Sequence, residues 1–508
     1  MQLSKQSIVN IKPQAGLVIP DPAVFQLPEK VLQFGTGVLL RGLPDYFIDK
    51  ANRQGIFNGR VVMVKSTAAG GTDEFNKQNG LYSVCVRGVE DGQKVDEVII
   101  NSSVSRVLSA NEEWESILEC AQSPDMQVII SNTTEVGITL VEDDIRMFPP
   151  LSFPGKLLAF LYHRYQFFKG SQESGMVIIP TELITENGTK LKSIVIELSR
   201  MNKLEDQFIN WLETANHFCN SLVDRIVPGK LNGNDLYATE NKLGYKDELM
   251  IMSESFRLWA IESDNERVKN ILSFTRADQG AVVAPDIEKF RELKLRLLNG
   301  THTFSCGLAY LAGFSTVREA MSNEFMSSFV HNISLQEIAP AITNGLITYT
   351  EASDFASKVL DRFRNPFLDH QWLSITVQYT SKMKMRNVPL LVRHYEKTNQ
   401  VPVHMALGFA AYLLFMNGTD SQQGKYTGRS NGKEYLIQDD HAKYITGKWH
   451  DNNSDQLVES VLSDEAFWGA NLTAFNGFEE AVKLNLHSLI KNGVMATLRR
   501  VQLHKTVV

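Results

Sequence analysis

The chain has 508 residues, 43% of them hydrophobic and 21% charged, which is the balance of a folded chain with room for two cores and excludes a disordered one. A formal charge of −7 argues against nucleic acid as a partner and leaves open a local basic pocket for a small anion. Cys85, Cys120, Cys219 and Cys306 lie far apart, with no CxxC pair and no histidine at ligand spacing. They read as buried or free thiols of a reducing compartment, and no metal site is expected. The N-terminal MQLSKQSIVNIKPQ lacks the apolar core of a signal peptide. The most apolar helix candidate, VHMALGFAAYLLFM from Val403 to Met416, falls short of the ~20 residues that span a bilayer and reads as a core helix. The expectation is a cytoplasmic protein with no membrane partner.

In chain order, KVLQF (Lys30 to Phe34) reads as a buried strand that runs straight into GTGVLLRG. Gly35 and Gly37 make a tight turn, and VLLRGLPDYFIDKANRQG from Val38 onward has helical periodicity. Strand, glycine turn and helix form the setting of a dinucleotide fingerprint, in which Gly37 would let a pyrophosphate approach backbone N–H groups. The GxGxxG pattern is incomplete: Leu40 stands at the third position, with Arg41 and Gly42 after it. A second strand, RVVMVKST (Arg60 to Thr67), ends in Lys65 and Ser66 where an NAD fold usually carries an acid. The strand-end chemistry therefore leaves NAD against NADP open. LYSVCVRG (Leu81 to Gly88), VDEVIINSSV (Val95 to Val104) and MQVIISN (Met126 to Asn132) read as further strands. The last ends in SNTTEVG, so Asn132, Thr133, Thr134 and Glu135 are candidate cofactor contacts or a plain polar turn. MVIIPTEL (Met176 to Leu183) is another buried strand, followed by a long helix from Lys190 to about Asn216. LVDRIVPG (Leu222 to Gly229) and DELMIMSESFRLWAIE (Asp247 to Glu262) are further strand material.

The pattern turns helical near Gly280 to Pro285. Helices are expected near 286–313, 316–330, 351–364, 366–382, 387–398, 402–416, 454–464 and 476–496, with a polar surface excursion from Gly418 to Asn453. The fold class is thus α/β: a Rossmann-like dinucleotide-binding domain over 1–284 and a mostly α-helical C-terminal domain over 285–508. The first helix of that half carries KLRLLNGTH. On an ideal α-helix Lys294, Asn299 and His302 share an arc of roughly 140°. A cation, an amide and an imidazole on one arc could handle a hydroxyl or carbonyl oxygen. The same spacing also fits a snorkelling lysine, a helix-end Asn-Gly and a solvated histidine. RFRNPFLDHQWLSITVQYTSKMKMRNVP (Arg362 to Pro389) is a basic segment whose methionines suggest partial burial. Its cations, Lys382, Lys384, Arg386, Arg364 and His370, are candidates for a substrate carboxylate.

The GxGxxxR turn, the change near residue 285 and K-x(4)-N-x(2)-H opening the helical half occur in one order. From about residue 28 to 490 the chain resembles the mannitol dehydrogenase family, the long-chain polyol and sugar-acid dehydrogenases. SNTTEVG, PTELITENG, KLRLLNGTHT and TSKMKMRNVP resemble its sugar-acid branch. The resemblance implies an NAD-dependent oxidoreductase with a small sugar-acid substrate. Lys294 would be its catalytic acid/base, Asn299 and His302 would lie beside it, and Asp224 and Lys382 would bind substrate. Gly35, Gly37, Arg41, Asn132, Thr134 and Glu135 would line the cofactor. An amine has a reference pKa of ~10.4, and desolvation or a neighbouring positive charge lowers it toward a useful base. Leu183 departs from the polyol enzymes, which carry asparagine after the acid of that strand. The implied reaction is reduction of D-tagaturonate, with fructuronate or a neutral polyol as alternatives. From another class, a non-catalytic nucleotide-binding sugar sensor is the competing reading. The oligomeric state is left open.

Overall fold

The computed structural model describes residues 1–66, 72–133, 136–421 and 424–503. Two compact units are present: residues 1–88 with 94–287, and residues 89–93 with 288–508.

The first unit is built on six strands: β1 Glu29–Phe34, β2 Arg60–Lys65, β3 Val104–Ser109, β4 Val128–Ser131, β5 Val177–Pro180 and β6 His217–Phe218. Their order is β3-β2-β1-β4-β5-β6, and every pairing is parallel. This is the doubly wound order, with its reversal between β1 and β4. Strand periodicity divides the side chains between two cores. Val31, Val61, Met63, Val128 and Ile130 enter one, and Leu32, Phe34, Val62, Val64 and Ile129 the other. Both faces are covered, which is why these strands read as unbroken apolar runs. Two smaller sheets complete the unit. One orders Leu17–Val18, Gln93–Asn101, Tyr82–Glu90 and Ile251–Glu254; the other orders Ser221–Asp224, Leu258–Glu262 and Ala281–Ala284.

Several boundaries differ from the sequence expectation. The helical run from Val38 breaks at Leu43 into Val38–Gly42 and Pro44–Arg53, because Pro44 starts a new helix and Leu43 leaves helical geometry. The long helix becomes Asn187–Met201 and Asp206–Ala215, separated at Lys203, whose φ is +55°. The strand expected over 95–104 is two, Gln93–Asn101 and Val104–Ser109, and they belong to different sheets.

The second unit is mostly helical, around the buried helix Val403–Phe415. Its N-terminus is closed by the Glu337 carboxylate, which accepts from the backbone N–H groups of His404 and Met405, each at 2.8 Å, and stands 2.7 Å from His404 Nδ1. Among the described residues no helix is long and apolar enough to cross a membrane. The helix expected over 366–382 is reduced to Trp372–Ile375 and Tyr379–Lys382. The excursion at 418–453 contains a three-stranded antiparallel sheet, Thr419–Ser421, Lys425–Ser430 and Lys433–Ile437, and then a helix, Ala442–Asp451. Asn431 and Gly432 turn its second hairpin with φ of +49° and +75°. The four cysteines are free and buried: Cys85, Cys120 and Cys219 in the first unit, Cys306 in the second.

Candidate active site

In the first unit the glycine turn sits at the point where the strand order reverses. Gly35 adopts φ +129°, and a Cβ there would stand 2.8 Å from Leu40 Cδ1 and 3.2 Å from the Asn132 carbonyl oxygen. Its glycine is thus a requirement of backbone and of space. A Cβ on Gly37, at φ −64°, would meet nothing within 4 Å. Gly42 packs against Val227, whose methyl carbons would lie 3.0 Å from an added Cβ. It supplies close packing two positions beyond the usual third glycine of the fingerprint.

The carboxyl ends of β1, β4 and β5 are laced together. The Asn132 N–H donates to the Phe34 carbonyl at 3.2 Å, and its side-chain amide donates to Thr181 O and Oγ1 at 3.1 and 3.0 Å. Buried Glu182 accepts from the Thr133 N–H at 2.8 Å, from Thr133 Oγ1 at 2.9 Å and from Ser131 Oγ at 3.2 Å. Thr134 and Glu135 lie outside the described residues. After β2, Ser66 Oγ is buried and has no hydrogen-bond partner among the described residues. A nucleotide ribose at the end of the second strand would give that hydroxyl a partner.

Arg41 has a different place from the one expected. It is 8% exposed, donating from Nε to Thr36 O at 3.2 Å and from Nη1 to Leu249 O at 2.7 Å, with its guanidinium over the Phe75 and Tyr82 rings. It braces the turn from inside. Asp224 ends the strand Ser221–Asp224 of the three-stranded sheet and is buried. Leu183, just past the end of β5, is 63% exposed.

In the second unit KLRLLNGTH is not an ideal α-helix. Between the helices Glu288–Leu293 and Thr301–Leu311, residues Lys294–Gly300 form a π-helix. Its hydrogen bonds run i→i+5, so the wider turn brings Asn299 closer to the face of Lys294 than the roughly 140° separation of an α-helix. Both side chains are half-buried, and the Asn299 carbonyl accepts from Thr303 Oγ1 at 2.7 Å. Another π-helix, Met383–Asn387, carries Arg386 and is preceded by Lys382. Arg296 ties the two together, donating from Nη1 to Met385 O at 2.9 Å and Arg386 O at 2.8 Å. Glu292, held low by Arg393 and Arg296, fixes the other side of that guanidinium. Arg296 was missed in the sequence, although a charged residue among Leu297 and Leu298 on the buried side is a visible signal.

His302 is 8% exposed, and its ring stacks on Phe363 at 4.0 Å with His370 edge-on at 5.3 Å. Its Nε2 is buried and has no hydrogen-bond partner among the described residues. Burial holds the imidazole well below its ordinary pKa, and the positive charges of His370, Arg362, Arg386 and Lys382 push it further down. His302 is therefore neutral at pH 7. Lys382 donates to the Ile375 carbonyl at 2.9 Å, and Arg386 Nη1 to Thr303 Oγ1 at 3.3 Å. The other expected cations point elsewhere: Lys384 is exposed, and Arg364, also exposed, stands 3.7 Å from Asp361. Met383 is buried while Met385 is 62% exposed, so only one of the two intervening methionines lies inside.

Residues 29–272 match the family described as the mannitol dehydrogenase Rossmann domain, and residues 286–490 match the mannitol dehydrogenase C-terminal domain. The chain belongs to the mannitol dehydrogenase family. Within it, this member is 38% identical to the altronate oxidoreductase of Halalkalibacterium halodurans over 92% of both chains. It is 37% identical to that of Bacillus subtilis, over 94% of this chain and 95% of the relative. Among solved structures, it is similar to Pseudomonas fluorescens mannitol 2-dehydrogenase in ternary complex with NAD and D-mannitol, with a TM-score of 0.64, 21% identity and 99% of each chain covered. It is also similar to a D-sorbitol dehydrogenase, with a TM-score of 0.73, 18% identity and coverage of 98% of this chain and all of the other. At those identities the two structures speak for the family fold, a parallel nucleotide-type sheet followed by helices.

Proposed function

We propose that this chain is an NAD-dependent altronate oxidoreductase that reduces D-tagaturonate to D-altronate. The observation that carries the reading is its likeness to altronate oxidoreductases over more than nine-tenths of the chain. Gly35, Gly37 and Asn132, with Ser66 Oγ toward a ribose, are the residues that would hold the dinucleotide in the first unit. That cofactor supplies and accepts the hydride when bound.

In the second unit Lys294 acts as the acid/base. On reduction it gives a proton to the former ketone oxygen, and on oxidation it takes the hydroxyl proton. Asn299, brought toward the same face by the π-turn, donates its amide to that oxygen as negative charge develops. His302, kept neutral, offers Nε2 to a hydroxyl of the sugar acid. Asp224 is a substrate contact by family resemblance. A sugar sensor has no use for a proton donor aligned with an amide in this way.

The test is absorbance of the reduced nicotinamide with tagaturonate, fructuronate and fructose in parallel, each with NADH and NADPH. The expected result is fastest turnover of tagaturonate with NADH. Faster reduction of fructuronate or fructose would reassign the substrate. Higher efficiency with NADPH would show that Lys65 and Ser66 decide the cofactor.

A further inference from the structure

Around His302 the second unit gathers positive groups from different elements. Arg362 lies in the last turn of Tyr349–Phe363, His370 in the loop after it, Lys382 just before the π-turn Met383–Asn387, and Arg386 within it. Lys382 and Arg386 are four residues apart and share a face, while Lys384 between them is exposed. Both are partly buried, and burial disfavours the charged form of each. Among the described residues neither makes an ion pair; their hydrogen bonds go to the Ile375 carbonyl and the Thr303 hydroxyl. Asp439, the carboxylate that Lys382 feels, is taken up by the N–H groups of Thr380 at 2.6 Å and His441 at 2.8 Å. Two partly desolvated cations without a counter-ion, beside an imidazole whose Nε2 has no partner among the described residues, make an arrangement that an anionic ligand completes.

We infer that Arg386 forms the seat of the substrate carboxylate, beside Lys382, which family resemblance already makes a substrate contact, with His302 Nε2 meeting a hydroxyl of the same sugar acid. The inference rests on the keto-acid reading above and adds what separates an acid from a polyol at that site. The planar guanidinium of Arg386 suits a carboxylate through two parallel N–H donors, and Lys382 adds a point charge. Arg386 Nη1 reaches Thr303 Oγ1, and that hydroxyl donates to the Asn299 carbonyl, so the seat is linked to the turn that carries Lys294.

The experiment is calorimetric binding of D-altronate, with NAD present, to the parent protein and to Arg386→Gln, Arg386→Lys and Lys382→Met. A charge-assisted contact predicts about a 10- to 150-fold loss of altronate affinity in Arg386→Gln. A smaller loss is expected in Arg386→Lys, which keeps the charge and loses the fork. NADH affinity should hold in every variant. If Arg386→Gln does not fold, the lysine variant carries the test. Unchanged altronate affinity in the Arg386 variants, no altronate binding to the parent, or NADH affinity falling in step would each overturn the seat. Tagaturonate turnover by the parent is a separate readout, so the activity and the carboxylate seat can fail independently.

Discussion

A lysine that gives and takes a proton at the substrate oxygen is worth roughly 10²–10⁴ in rate. Lys294→Ala should therefore lower turnover at least about a hundredfold. NADH affinity, measured by fluorescence titration, should stay near the parent value, and near-normal turnover would remove Lys294 from the chemistry. The two turn glycines should separate in the same way. Gly35 is held by a left-handed φ and by Leu40 and Asn132 at contact distance, so Gly35→Ala should lower the melting temperature. Gly37 has open space and an ordinary φ, so Gly37→Val should leave melting unchanged and weaken dinucleotide binding. Equal NADH affinity in Gly37→Val would mean that the turn serves the fold alone.

The π-turns Lys294–Gly300 and Met383–Asn387 decide which side chains meet, and Arg296 is the brace between these two. Arg296→Met removes the donor from two carbonyls, Met385 O and Arg386 O. Leaving a buried acceptor unsatisfied costs about 1–3 kcal/mol, so urea denaturation should report a loss of that order and turnover should fall with it. Unchanged stability would show that water replaces the guanidinium there. These turns also mark the limit of what the sequence displays. Parallel strands buried on both faces announce themselves as apolar runs, and β1 with its glycine turn could be read directly. A π-turn carries no period of its own, so Lys294 and Asn299 were set on an α-helical wheel that the backbone does not follow. Lys382 and Arg386 could be named as cations, but their separation from Lys384 and Arg364 depends on which face is buried. The hairpin at Asn431-Gly432 carries a turn signal, but its polar strands lack the apolar alternation that marks a half-buried strand. Arg41 looked like a ligand-facing residue of the turn and proved to be its internal brace, since motif spacing does not reveal which way a side chain goes.

Across the whole molecule, Asp45 of the first unit and the paired histidines of the second pull in opposite directions with pH. In the second unit His302 and His370 have folded pKa values below the ordinary histidine value. Their contribution is complete above about pH 6.5 and is lost as pH falls through the folded values. In the first unit burial pushes Asp45 up to about 7, with Gln33 Nε2 and Tyr82 Oη donating to Oδ2 at 3.3 and 3.2 Å and Oδ1 without a partner among the described residues. Its contribution is complete below about pH 3.8 and is lost as pH rises through 7. Asp45→Asn keeps an acceptor for both donors without the buried charge. It should raise melting more at pH 8 than at pH 5, measured by calorimetry. Equal effects at both pH values would show that Asp45 does not titrate in this range.

The buried thiols turn the same division into a clock that needs no added probe. Burial pushes Cys85, Cys219 and Cys306 up to about 12 and Cys120 to about 11, so the native chain should be nearly inert to alkylating reagents. Each sulfur then becomes reactive only when its surroundings open. Timed alkylation in mild denaturant, read by peptide mass, would date the opening of the first unit at Cys85, Cys120 and Cys219, and that of the second at Cys306. Cys306 lies one turn beyond His302, so its modification time is also the lifetime of the helix that carries both. An altronate ligand seated beside that helix should lengthen the Cys306 time and leave the other three as they were.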